Sequence, residues 1–158
     1  MSEETDSLAS DLWGRLLWVC PELGLSLFGW SVMPHPPSLA EYDGIRNVHY
    51  FDRLNDRDRV MAVLHELGHA YLHPPGSGEL AGEHLDEAEE LLVHNSAAQA
   101  SEALGLRGYV EVMAGHGASR QLLAGVGPQE RVRVDEIASF LEAAMHDPEH
   151  PPSWPSRA

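Results

Sequence analysis

Apolar side chains recur at Leu8, Leu12, Trp13, Leu16 and Leu17, a helical spacing that predicts a first helix ended by Pro21. Between residues 25 and 33 the period changes: Phe28, Trp30 and Val32 alternate with Gly29 and Ser31, which reads as a strand broken by His35-Pro36-Pro37. Asp43-Gly44 separates Ala40-Glu41-Tyr42 from the run Ile45 to Phe51, and Asp-Gly accepts the positive φ of a hairpin turn. A small antiparallel sheet is therefore expected before the next helix. That helix begins at Asn55 or Asp56, either of which can cap it, and Pro74-Pro75 stop it just past His73. A Gly-rich loop from Pro74 to Gly82 leads into a third helix from about His84 to Leu104, closed by Gly105, with Leu85, Ala88, Leu91, Leu92 and Ala98 on its apolar side. A short helical stretch, Tyr109 to Ala114, follows. The last helix opens at Pro128, runs to about Met145 and is expected to bury Val132, Ile137, Phe140 and Leu141. The pattern defines an α+β chain, mainly helical, with one domain over residues 1–146 and a small sheet packed on the second helix. The Pro-rich tail, 147–158, reads as disordered.

The second helix carries the sharpest chemistry. Its sequence Val63 to Leu72 is V-L-H-E-L-G-H-A-Y-L, so His65 and His69 stand one turn apart on one face. Two neutral imidazoles in that register can share one Zn²⁺. Glu66 lies about 100° round the helix, where its carboxylate can act as general base without being a ligand, the H-E-x-x-H arrangement of zinc metalloproteases. Val60, Met61, Val63, Leu64, Leu67 and Leu72 make the helix a buried one, where unpaired polar groups are costly. Gly68 weakens a helix by about 1 kcal/mol against Ala, so it is expected to serve close packing or metal approach.

A catalytic zinc takes three protein ligands and keeps one position open. A third His ten positions after His65 is excluded, because that position is Pro75. His84 would give a three-His site, and Glu87 a two-His-one-Glu site of the gluzincin type. The segment L-D-E-A-E-E-L-L-V favours Glu87, since Ala88 beside it would let the two helices approach. Glu90, one turn on, is the further candidate, as a ligand or as the group that hydrogen-bonds a ligating His. Glu83, Glu89 and Glu102 read as a solvated helix face. His116, Tyr109, Tyr71 and His94 are open candidates for stabilising an oxyanion. Tyr71 and His73 read as packing and capping residues, Trp13, Trp18 and Trp30 as core, and His35, His49, His146 and His150 as incidental.

Composition narrows the class. The 158 residues carry 25 acidic against 10 basic side chains, a net charge of −15, which argues against direct binding of nucleic acid. A single cysteine, Cys20, permits no internal disulfide and suits a reducing compartment. The acidic start M-S-E-E-T-D is unlike a secretory signal, and the following L-W-G-R-L-L-W-V-C is too short to span a membrane. These features read as a cytoplasmic protein that neither spans nor binds a membrane.

The run from Tyr42 to His73, with H-E-L-G-H inside it, resembles the ImmA/IrrE family of bacterial metallopeptidases, and D-E-A-E-E-L-L-V-H-N-S-A-A is similar to that family's following helix. The resemblance covers about residues 8–145, its specific motifs only 42–105. It implies a minimal gluzincin core with His65, His69 and Glu87 as zinc ligands and Glu66 as base. It also implies a peptide-bond hydrolase whose substrate is a separate, basic helix-turn-helix repressor of a mobile element or stress regulon. One departure is clear: the family places an aromatic F-A pair after its Glu-Ala, where this chain has Leu91-Leu92-Val93. The alternative is a zinc-containing module that binds and sequesters a protein partner without cleaving it. An excess of acidic charge suits a basic partner under either reading.

Overall fold

The computed structural model describes residues 3–32, 38–76, 87–121 and 123–155. Among these residues are five helices and a three-stranded sheet, the α+β class read from the sequence. Helix α1 spans Glu3–Glu22 and buries Ala9, Leu12, Trp13, Leu16, Val19 and Cys20, a stripe of helical period. Pro21 lies inside its last turn rather than ending it. The helix closes one residue later, where Gly24 takes φ +79° and the amides of Leu23 and Leu25 return to Cys20.

Strand β1 is Ser26–Trp30, β2 is Ala40–Tyr42 and β3 is Asn47–Phe51, in the order β1-β3-β2. The hairpin forms as expected: β2 and β3 are antiparallel, Gly44 takes φ +77°, and the Asp43 carboxylate accepts the amides of Ile45, Arg46 and Asn47. The sheet as a whole is mixed, not antiparallel, because β1 pairs with β3 in parallel. The hairpin fixes only the sense of its own two strands. After β1 the chain crosses to the far edge before turning back, so β1 and β3 run the same way. Leu27 and Val48 face the helices, while Phe28, His49 and Trp30 stack on the outer face. Trp30 is thus half-exposed and Trp18 is 56% exposed; of the three tryptophans assigned to the core, only Trp13 lies in it, with Tyr50 against its edge.

Helix α2, Asp56–Leu72, is the centre of the molecule and packs on α1, α3, α5 and two strands. It is buried on most of its surface, and Asn55 caps it by accepting the Asp58 amide at 2.9 Å. Helix α3, Glu87–Ala103, lies along α2, and its buried stripe is Val93, His94, Ala97, Ala100 and Ser101. The expected apolar side, Leu91 and Leu92, is only half-buried, and Ala88 is exposed; Leu85 falls outside the described residues. Small side chains set this face because α2 comes close. A Cβ on Gly68 would stand 2.8 Å from Val93 Cγ1, so the glycine inside the H-E-L-G-H motif is what lets α3 approach.

Helix α4, Tyr109–Gly115, and helix α5, Pro128–His146, complete the fold. Ile137, Phe140 and Leu141 of α5 are buried as expected, whereas Val132 is 62% exposed and Val134 is buried in its place. Residues 147–155 of the Pro-rich tail are described, and Trp154 among them packs against the core. Trp154 stacks on Phe140 and donates its indole N–H to the Leu23 carbonyl at 2.7 Å. Among the described residues no helix is long and apolar enough to cross a membrane.

Candidate metal centre

Helix α2 brings His65 and His69 one above the other, rings edge to face at 4.8 Å. Across from them α3 presents Glu90, and these three residues form a group whose candidate ligand atoms all lie within 4.8 Å of one another. His65 Nε2 is 3.1 Å from Glu90 Oε2, and His69 Nε2 is 2.7 Å from Glu90 Oε1. His69 is 1% exposed, and its Nε2 finds no well-aligned hydrogen-bond partner despite that proximity. A buried ring nitrogen facing a carboxylate without a hydrogen bond is costly by itself and suits a shared cation.

Glu90 therefore takes the place expected for Glu87. Glu87 lies at the exposed first turn of α3, outside the group. The cause is the orientation of α3. The stripe that packs on α2 runs Ala100, Ala97, Val93 and His94, and continued back one turn it reaches Glu90. Ala88, read as a helix-approach residue, is on the open side. His84, the other candidate, lies outside the described residues.

Each imidazole has a carboxylate on its second nitrogen. His65 Nδ1 meets Glu66 Oε2 at 2.6 Å, and His69 Nδ1 meets Glu89 Oε2 at 2.8 Å. Glu89 is no solvated residue: its other oxygen accepts His73 Nε2 at 2.7 Å. His73 itself caps α2, as expected, and its carbonyl accepts the Tyr42 hydroxyl. Burial alone would lower the proton affinity of both imidazoles. The carboxylates outweigh it, Glu66 and Glu90 holding His65 above its usual value and Glu89 and Glu90 lifting His69 to about 10. Burial likewise opposes ionisation of Glu90, but the hydrogen bond with His65 and the charge of the two imidazoles beside it push it well below the usual carboxylate range. The cluster is thus built to hold positive charge between its nitrogens and oxygens, and a divalent cation would displace those protons.

A cavity of about 280 Å³ opens beside the cluster, lined by His65, Glu66, Glu90 and His94 on one side and by Leu39, Met113 and His116 among others. His94 is buried, stacks on His65 at 4.3 Å between centroids and shares a hydrogen bond between its Nδ1 and the Tyr109 hydroxyl, 2.8 Å away. Burial and the neighbouring His65 push it down to about 3, so it is neutral. His116 enters from the end of α4 and is held by Asp58 at 3.0 Å. Asp58, not singled out in the sequence, is buried on the face of α2 that continues through Ala62 to His65 and Glu66. Of the four oxyanion candidates, His94 and His116 line the cavity. Tyr109 stands behind His94, and Tyr71 packs edge-on against Phe140, away from it. Among the residues read as incidental, His49 belongs to the outer stack of the sheet, and His150 is exposed beside Asp147.

Comparison of the chain with protein-family models, with curated proteins and with solved structures finds no match in any of the three.

Proposed function

We propose that this protein is a zinc-dependent metallo-endopeptidase of the ImmA/IrrE type, with the metal held by His65, His69 and Glu90. The observation that carries the reading is the buried Nε2 of His69, which makes no well-aligned hydrogen bond and is aimed with His65 at the Glu90 carboxylate on the wall of a cavity that Glu66 also lines. Two imidazoles and one carboxylate are a donor set that suits zinc and leaves room for a fourth ligand. When bound, the ion supplies Lewis acidity to a scissile carbonyl and to a water.

The chain's own residues do the rest. Glu66 takes the proton of the attacking water and later delivers it to the leaving amine. His94 and His116 are placed to donate hydrogen bonds as the carbonyl oxygen gains charge. Each is braced from behind, by Tyr109 and by Asp58, so its ring needs no reorganisation at that moment. Leu39, Ala40, Met113 and Ala118 give the cavity apolar walls suited to a side chain beside the scissile bond.

An extended substrate docks on β2. The strand ending at Phe51, β3, is the centre of the sheet with a neighbour on each side, so it offers no edge for strand addition. Among the described residues, the sheet edge beside His65 and Glu66 is β2, whose Ala40, Glu41 and Tyr42 border the metal cluster. The substrate class is a basic helix-turn-helix repressor, a reading supported by the net charge of −15 and by the likeness in sequence. A cytoplasmic site of action accords with the lone, buried Cys20 thiol, which burial raises to about 12 and leaves inert.

Glu66→Gln tests the reading, because the amide keeps the size of the side chain and removes the base. Cleavage of the co-purified partner should fall about 10²–10⁴-fold while zinc content stays unchanged. A partner bound equally by both proteins and cut by neither favours a sequestering module instead.

A further inference from the structure

One residue in the cluster has a geometry that neither the sequence pattern nor the proposed chemistry uses. Glu89 lies next to Glu90 in α3 but does not line the cavity. Its two oxygens are divided between two imidazoles of α2, Oε2 on His69 Nδ1 at 2.8 Å and Oε1 on His73 Nε2 at 2.7 Å. An ionised carboxylate can only accept, so both ring nitrogens carry the proton. For His69 that choice decides its capacity as a ligand. A neutral imidazole has one N–H, and with the proton kept on Nδ1 the lone pair must be on Nε2. Nε2 is the buried nitrogen without a hydrogen-bond partner, 2.7 Å from Glu90.

We propose that Glu89 is the positioning residue of the metal centre: it fixes the tautomer and ring plane of His69, with His73 as the brace on its second oxygen. The inference rests on the metal-site reading given above. Both histidines lie on one face of α2, and His73 is also tied through its carbonyl to the Tyr42 hydroxyl of β2. The clamp thus joins the end of α2, the start of α3 and strand β2. The other imidazole, His65, has its Nδ1 held by Glu66, a residue on the cavity. The two carboxylates therefore play different roles. Glu66 faces the cavity and can move a proton, whereas Glu89 lies off the cavity with an oxygen on each of the two rings.

The test is zinc affinity of the full chain, measured by competition with a chromophoric chelator, together with the absorption spectrum of the cobalt(II) form. Glu89→Ala should weaken zinc about 10- to 100-fold, the range for removal of a group that orients a ligand. Glu89→Gln keeps one acceptor for Nδ1–H and should lose less. Glu87→Ala is the control, since it removes the same charge from the same turn at an exposed position, and should leave affinity and spectrum unchanged. His73→Ala removes the brace and keeps Glu89 and should shift the cobalt spectrum, which provides a second reading if Glu89→Ala folds poorly. Equal zinc affinity and equal spectra for the Glu89 and Glu87 variants would overturn the clamp while leaving the metal site standing. A wild-type chain that takes up neither ion would overturn the metal site, and the clamp with it.

Discussion

Helices α2 and α3 each have 17 residues and both supply the cluster, yet they owe their positions to different things. Helix α2 is specified locally. It has a capping Asn55, a near-continuous buried surface and two histidines in a register that any α-helix brings together. Helix α3 has Glu87, Glu89 and Glu90 in its first turn and the candidate apolar sites Leu91 and Leu92, and nothing within its own sequence says which side faces inward. Its orientation is decided by its partner. Gly68 of α2 opens a slot for Val93, and the small residues Ala97 and Ala100 continue the seam, which turns Glu90 toward the histidines and leaves Glu87 in solvent. A motif can therefore name its own candidate ligands, while the candidate from the facing helix depends on packing between the two.

The largest effect that separates the two helices is expected at the third ligand. Glu90→Ala should weaken zinc binding by about 100-fold or more, above what loss of an orienting group costs. Glu87→Ala should change it little. Chelator competition on both variants measures this, and equal losses would erase the distinction drawn between the two carboxylates.

A middle-sized effect tests the slot. Gly68→Ala gains about 1 kcal/mol of helix propensity but forces its new methyl against Val93 Cγ1, and overpacking of this kind costs about 1–3 kcal/mol. The net change in unfolding free energy should be destabilising, with weaker zinc binding because α3 must move. In a Val93→Ala background the new methyl has room, so the same substitution should become neutral or stabilising. Denaturant unfolding of the four proteins gives the coupling, and additive changes would mean that the seam does not set the approach of α3.

The smallest effect lies in the sheet, away from both helices. At Asp43 partial burial disfavours the charge, but hydrogen bonds from Asn47, Ile45 and Arg46 outweigh it and hold the carboxyl below its usual value. A depressed folded-state value means that the stabilisation is present above about pH 4, the unfolded carboxylate range, and is lost as pH falls through the folded value. Asp43→Ala should cost about 1 kcal/mol at neutral pH, and the gap from wild type should close in acid. Unfolding curves from pH 7 down to 3 check the sign; a gap that widens in acid would contradict it.

These same contrasts explain what the sequence disclosed. Local signals were faithful: the Asp43-Gly44 hairpin, the Asn55 cap, the Gly105 closure of α3 and the His65–Glu66–His69 register were all legible because each depends on a few neighbouring residues. Features that depend on a distant partner were not. The parallel sense of β1, the exposure of Trp18 and Val132, the docking of Trp154 and the inward side of α3 follow from which surfaces meet, not from local period. Glu90 was within reach as an alternative, one helical turn from Glu87, but nothing in α3 alone ranks one above the other. Asp58 had a clearer signal in its register with Ala62 and His65. Glu89 had none, because an acidic residue beside a ligand reads as solvent-facing until the facing helix is in place.

The central claim is that the ion bridges the two helices through His65, His69 and Glu90. Crystals grown with zinc, with data collected above and below the zinc absorption edge, test it most directly. The account predicts one anomalous peak within bonding distance of His65 Nε2, His69 Nε2 and a Glu90 oxygen, about 2.0–2.2 Å from each, with Glu87 in solvent. A peak coordinated by Glu87 or His84 in place of Glu90, or no peak at the cluster in a zinc-replete crystal, would contradict it.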